Sequence, residues 1–158
     1  MTKWQRFTRK KVDDLEQTIL KDIASAPTDK LTWYIGSDSQ VKNGSIKYIT
    51  AVIVLFDGQG GRGYYKETVE KLGYKISIRQ KLFQETHMSV ETAMWLNPIL
   101  EDAGYCVEAI HADVSSNPIH ASNAVMNECL GYITGAGFTA VGKPDSWAAM
   151  EIADRFSK

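Results

Sequence analysis

Apolar and polar positions along the chain alternate in two distinct periods, and the change of period divides it. From residue 9 to 25, Val12, Leu15, Ile19 and Ile23 recur at helical spacing among charged residues, which predicts an amphipathic helix. Ala26-Pro27-Thr28-Asp29 ends it. Three β-branched and aromatic runs follow, over Leu31–Ser37, Ile46–Phe56 and Tyr64–Val69. Asn43-Gly44 separates the first two runs and a Gly-rich stretch over residues 57–63 separates the next two, so an antiparallel meander is predicted. The period then lengthens. Ser77-Ile-Arg-Gln80 has the form of a capping box, and Leu82, Thr86, Ser89, Ala93, Leu96 and Leu100 recur at intervals of four and three up to about Asp102. Pro98 should kink or break the last turns of this helix, and Gly104 stands where a C-terminal cap is wanted. A strand over Tyr105–Ala112, a helix over Ser122–Gly135, a short strand over Gly137–Val141 and a last helix over Ser146–Phe156 complete the order.

That order, βββαβαβα behind an extra N-terminal helix, predicts an α/β protein with a mixed five-stranded sheet flanked by helices. With no repeat, low-complexity tract or linker in its 158 residues, one domain is expected: a helical extension over residues 1–28 and a core over 29–158. Eighteen basic against nineteen acidic side chains exclude binding to nucleic acid or membrane by bulk positive charge, though not a local basic surface. Cys106 and Cys129 have neither C-x-x-C spacing nor metal-ligand neighbours, and the N-terminus has no apolar signal region. The longest apolar run, Ala51–Phe56, is too short to cross a bilayer. A cytoplasmic protein with no membrane partner is the expectation.

The informative chemistry is acidic. Asp38 ends the first strand of the meander and Asp113 the strand after the long helix, so neighbouring strands would bring two carboxylates close together. Such a pair is unfavourable unless a cation or a proton lies between them. The long helix adds Glu85 and Glu91, and Asp145 stands at the start of the last helix, where it could equally be an N-cap. Carboxylates without His or Cys partners suit Mg²⁺ or Mn²⁺. Glu85 and Glu91, six residues apart at about 100° per residue, point roughly 120° apart, so they can hardly serve one ion. Glu91 precedes Asp113 by 22 residues. His111 shares the sheet face of Asp113 by period two, either as a core histidine or as a contact behind the site. Basic residues with interleaved aromatics lie at the N-terminus (Lys3, Arg6, Arg9, Lys10 and Lys11 with Trp4 and Phe7) and around the third strand and the long helix (Lys66, Lys71, Lys75, Arg79 and Lys81). They could serve phosphate contacts and base stacking, or be solvated charges.

The element order with its acids resembles ribonuclease H, and more closely the YkuK-like family of bacterial ribonuclease H-like proteins. Ile35-Gly-Ser-Asp-Ser-Gln40, Gln84-Glu-Thr-His-Met-Ser89 and Lys143-Pro-Asp-Ser-Trp-Ala-Ala149 carry the likeness, which spans the chain from about residue 12. The 22-residue interval matches the helix-to-strand interval of ribonuclease H and favours Glu91, while Glu85 lies in the stretch that matches the YkuK-like family better. The resemblance implies hydrolysis of nucleic acid phosphodiesters by two Mg²⁺ or Mn²⁺ ions about 4 Å apart. In it Asp38 bridges the ions, Glu91 (or Glu85) and Asp113 hold the first, and Asp145 holds the second. Ser39 and Gln40 are candidates for a ribose 2′-hydroxyl, and Lys143 for phosphate charge, since no His precedes the last helix. RNA, RNA/DNA hybrid or structured DNA would be the substrate, and an exposed sheet edge could support a homodimer. The alternative is a non-catalytic module that binds nucleic acid or a protein partner on the same scaffold.

Overall fold

The computed structural model describes residues 3–115 and 125–148. Nine elements follow in chain order: β1 (Trp4–Arg6), α1 (Leu15–Ala24), β2 (Leu31–Lys42), β3 (Ser45–Phe56), β4 (Gly61–Lys71), α2 (Ile78–Asp102), β5 (Val107–Ser115), α3 (Met126–Gly135) and β6 (Ala140–Lys143). The strands form one mixed sheet in the order β1-β4-β3-β2-β5-β6. β2 and β3, β3 and β4, and β1 and β4 pair antiparallel, while β5 runs parallel to both β2 and β6.

The meander follows the sequence pattern, with strands that run further than predicted. Asn43 (φ 52°) and Gly44 (φ 75°) make the two-residue turn of a tight hairpin, which fixes the register as Lys42 opposite Ser45. That register carries β2 through Asp38 to Lys42 instead of ending it at Ser37. In β3 the alternation is two-sided. Val52 and Val54 face the core shared with α1, α2 and α3, where Trp33, Ile35, Leu96, Ile110 and Ile133 are buried. Ile49, Ala51 and Ile53 face a second cluster with Tyr65, Tyr34 and Trp147. A sheet covered on both faces needs apolar residues at successive positions, hence the unbroken run in β3.

The capping box at Ser77 forms in both directions: the Ser77 hydroxyl accepts from the Gln80 N–H, and the Gln80 side chain accepts from the Ser77 N–H. Pro98 does not end α2, which runs one more turn to Asp102. Pro98 is exposed, so water can take the carbonyl that its missing N–H leaves free. Gly104 (φ 91°) follows the end of the helix in the left-handed conformation that glycine favours. α3 is described from Met126, and residues 122–124 of the predicted helix lie outside the described residues, as do residues 149–156 of the predicted C-terminal helix.

The N-terminus differs most from expectation. The sheet has six strands rather than five, because Trp4–Arg6 pairs with Tyr64–Lys66 at the edge of β4. A turn through Arg9 (φ 70°) brings the chain back, with the Val12 N–H donating to the Trp4 carbonyl at 3.0 Å. The helix consequently starts at Leu15 rather than residue 9, with Asp14 as its N-cap accepting from the Gln17 N–H at 3.1 Å. Phe7 packs on β4 where Gly63 has no side chain; a Cβ on Gly63 would lie 2.5 Å from three ring atoms of Phe7. Gly63→Ala should therefore displace Phe7 and destabilise the edge by about 1–3 kcal/mol, seen as a lower thermal midpoint and faster proteolysis before Val12.

Candidate metal centre

Small polar residues bind α2 to the sheet near the middle of β2. The Ser37 hydroxyl lies 2.7 Å from that of Ser89 and donates to the Thr50 hydroxyl at 3.1 Å, all three buried. One turn before Ser89 on the same helix face, Glu85 is buried at 3% exposure and accepts a hydrogen bond from the Ser39 hydroxyl through Oε2. Trp33, Ile35, Ser37 and Ser39 thus face α2, whereas Tyr34, which packs against Trp147 at 4.8 Å, faces away. By alternation Asp38 belongs to the Tyr34 side. The parallel ladder between β2 and β5 ends at Gly36–His111. Two residues further along each strand stand Asp38 and Asp113, where the strands are no longer paired and Glu85 can reach their carboxylates from the helix side. Ligand oxygens of Asp38, Glu85 and Asp113 lie within 4.8 Å of one another.

The electrostatics are those of a crowded acidic site. Burial, with the charges of Asp38 and Asp113 adding to it, pushes the Glu85 carboxyl up to about 8, although the Ser39 hydrogen bond and Lys81 pull the other way. Among the described residues, Glu85 Oε1 is buried with no hydrogen-bond partner. An orphaned buried oxygen facing two further carboxylates is costly as it stands, and it is the donor set that a hard divalent cation takes. Mg²⁺ or Mn²⁺ fits these residues. From β6, the Lys143 ammonium pairs with Asp113 Oδ1 at 2.9 Å.

A family model described as Ribonuclease H-like matches residues 14–158. The chain belongs to the ribonuclease H-like family. It is also 29% identical over 158 residues, covering 92% of this chain and 90% of the relative, to a Bacillus subtilis (strain 168) protein named Uncharacterized protein YkuK. No solved structure matches the chain significantly. The mixed sheet with helices against it agrees with a ribonuclease H-like fold, and no helix among the described residues is long and apolar enough to cross a membrane.

On this ribonuclease H-like scaffold the expected residues are only partly brought together. Asp38 and Asp113 meet, and the helix acid beside them is Glu85, not Glu91. Glu91 is 65% exposed, pairs with His87 one turn earlier, and lines a surface groove with Trp4 and Trp95. The reason is helical phase: Leu82, Glu85, Thr86, Ser89 and Ala93 form the stripe that packs on the sheet, and Glu91 lies outside it. Asp145 also stays outside the cluster. It is exposed in the turn after β6, its N–H bonded to the Gly142 carbonyl at 3.0 Å. Ser39 is turned inward, its hydroxyl bonded to Glu85. Gln40, half-buried, lies on the Asp38 side by alternation.

His111 is a core histidine. Its Nδ1 accepts from the Ala148 N–H at 3.0 Å, its ring packs edge-on against Trp147, and burial lowers its pKa to about 4, which keeps it neutral. Among the basic residues, Arg6 is committed to Asp22, Arg79 to Glu128, and Lys66 to the Trp4 ring at 5.4 Å. The sequence signal for Glu85 was its place in the apolar stripe of α2, where an acid needs a partner.

Proposed function

We propose that this chain is a Mg²⁺- or Mn²⁺-dependent nuclease that hydrolyses nucleic acid phosphodiester bonds. The observation that carries this reading is the convergence of Asp38, Glu85 and Asp113 from three separate elements around a buried carboxylate oxygen with no hydrogen-bond partner among the described residues. Bound there, a divalent ion would lower the pKa of a water and neutralise charge on the phosphate. The protein's part is to hold the ligands still. Asp38 and Asp113 are fixed by the sheet, Glu85 is oriented by Ser39, and the Ser37–Ser89–Thr50 contacts hold α2 against β2. His111, neutral and bonded through Nδ1, supports the segment after β6 rather than moving protons. The expectation of two ions rested on Glu91 and Asp145 joining the two strand acids. Neither joins the cluster found among the described residues, whose three carboxylates would hold the first ion.

The test is cleavage of labelled RNA/DNA hybrid, single-stranded RNA, single-stranded DNA and branched DNA, in Mg²⁺, in Mn²⁺ and in EDTA. Metal-dependent cleavage is expected with the natural chain and with Glu91→Gln, and its loss with Asp113→Asn. Cleavage that survives EDTA or Asp113→Asn would overturn the reading. Binding without cleavage on any substrate would favour the non-catalytic module.

A further inference from the structure

We propose that the surface groove between α1, β1, β4 and α2 binds an arginine-rich segment of a protein partner. Trp4 and Trp95 line this groove of about 470 Å³, and among the described residues its acids are Asp13, Asp14, Glu16 and Glu91 against one base, Lys66. It shares no residue with the cluster of Asp38, Glu85 and Asp113, so the inference stands apart from the metal reading. Each part is placed by local structure. β1 pairs Trp4 with Lys66 of β4, α2 carries Glu91 and Trp95 one turn apart, and the other three acids surround the start of α1.

Helix chemistry accounts for some of these residues. Asp14 caps α1, and Glu16 lies in its first turn, where an acid is favoured. It does not account for Asp13, exposed ahead of the cap, for Glu91 on the other helix, or for an indole at Trp95 that is 43% exposed. An exposed tryptophan beside carboxylates from two helices is a surface for cations. The groove already shows that chemistry once, since the Lys66 ammonium sits over the Trp4 ring at 5.4 Å. Charge complementarity and the second ring then select the occupant. A guanidinium is planar and weakly hydrated, so it stacks on an indole and still donates to carboxylates in its own plane, which an ammonium cannot match. Acids on two helices call for more than one cation, hence a run of arginines in a chain.

Titration of the full chain with hexa-arginine at low salt, followed by calorimetry and by the indole N–H signals of its four tryptophans, tests this. The signals of Trp4 and Trp95 should move, while those of Trp33, in the core, and Trp147, in the second cluster, stay in place. Trp95→Ala, and Asp13→Asn combined with Glu16→Gln, should each weaken binding about fivefold. Trp95→Phe keeps a ring and should lose less than Trp95→Ala. Glu101→Gln, an exposed acid of α2 outside the groove, should stay within about twofold of the natural chain. Hexalysine should bind about threefold more weakly than hexa-arginine, and hexaglutamate not at all. No binding of hexa-arginine, binding that leaves Trp4 and Trp95 unmoved, or unchanged affinity in both groove variants would overturn the inference. Spermine bound as tightly as hexa-arginine would overturn the peptide as the occupant.

Discussion

Glu85→Gln should make the metal-free protein more stable at pH 8 while abolishing metal binding and metal-dependent cleavage. The Glu85 carboxyl is held at about 8 against an ordinary value of 4.5, first by burial and then by Asp38 and Asp113. Between those two values the folded chain keeps a proton that the unfolded chain releases. The stability this group contributes is therefore present below pH 4.5 and is lost as the pH rises to 8, by about 5 kcal/mol at the limit. Glutamine carries no charge to desolvate, its carbonyl can still accept from Ser39, and its amide can donate toward the two aspartates. In EDTA the thermal midpoint of the natural chain should fall steadily from pH 5 to pH 8, and that of Glu85→Gln should show little of this slope. At pH 8 the variant should lie about 10 °C higher, taking about 3 kcal/mol of the limit as realised. Mg²⁺ should raise the natural chain's midpoint and leave the variant's unchanged. Binding at pH 7 should also release a proton, measurable by calorimetry in buffers of different ionisation enthalpy. A Glu85→Gln protein less stable than the natural chain in EDTA at pH 8 would show that the buried charge is not the burden described.

The same residue shows what the sequence could and could not convey. The meander, the capping box at Ser77 and the placement of Asp113 near the end of β5 follow from local rules, because turn chemistry and alternation act over a few residues, whereas Asp38 lies inside β2, which the hairpin carries on to Lys42. Which acid of α2 enters the site depends on helical phase. The stripe Leu82, Thr86, Ser89, Ala93 already fixed that phase, and Glu85 falls inside it. The 22-residue interval from Glu91 to Asp113 pointed to an acid that lies outside the cluster of Asp38, Glu85 and Asp113, because an interval along the chain carries no information about which way a side chain faces. Asp22 repeats the pattern on α1: it lies within the stripe of Leu15 and Ile19 and is buried at 6%. An acid in an apolar stripe signals a partner that must come from elsewhere, and for Asp22 the partner came from a three-residue strand too short to show any period. Arg6, read as a candidate phosphate contact, is instead half of an internal ion pair.

Asp22→Ala should be among the most destabilising single changes available in this chain. The Asp22 carboxylate receives Arg6 through two hydrogen bonds of 2.8 and 3.1 Å, pairs with Arg62 at 3.0 Å, and accepts from the Tyr64 hydroxyl. Burial alone would push its pKa up, but the hydrogen bonds from Arg6 and Tyr64 and the charges of Arg6 and Arg62 outweigh it and hold the carboxyl below the usual range. One side chain thereby joins α1, β1 and β4, and its removal takes away the acceptor shared by two guanidinium groups and a buried hydroxyl. Breaking such a pair costs about 3–5 kcal/mol, or a fall of about 10 °C in the thermal midpoint for a chain of this length. A depressed carboxyl contributes stability that is present above its unfolded pKa and lost as the pH falls through the folded one, so the gap between Asp22→Ala and the natural chain should narrow below about pH 4. Arg62→Ala should cost less, because Arg62 is 38% exposed and Arg6 keeps its bidentate hold on the carboxylate. The acidic cluster lies on β2, α2 and β5 and shares no residue with this contact, so folded Asp22→Ala should bind Mn²⁺ as the natural chain does. An Asp22→Ala protein within about 1 kcal/mol of the natural chain at pH 7, below the range for breaking a buried pair, would mean that the N-terminal strand is held by its ladder and by Phe7 and not by this ion pair.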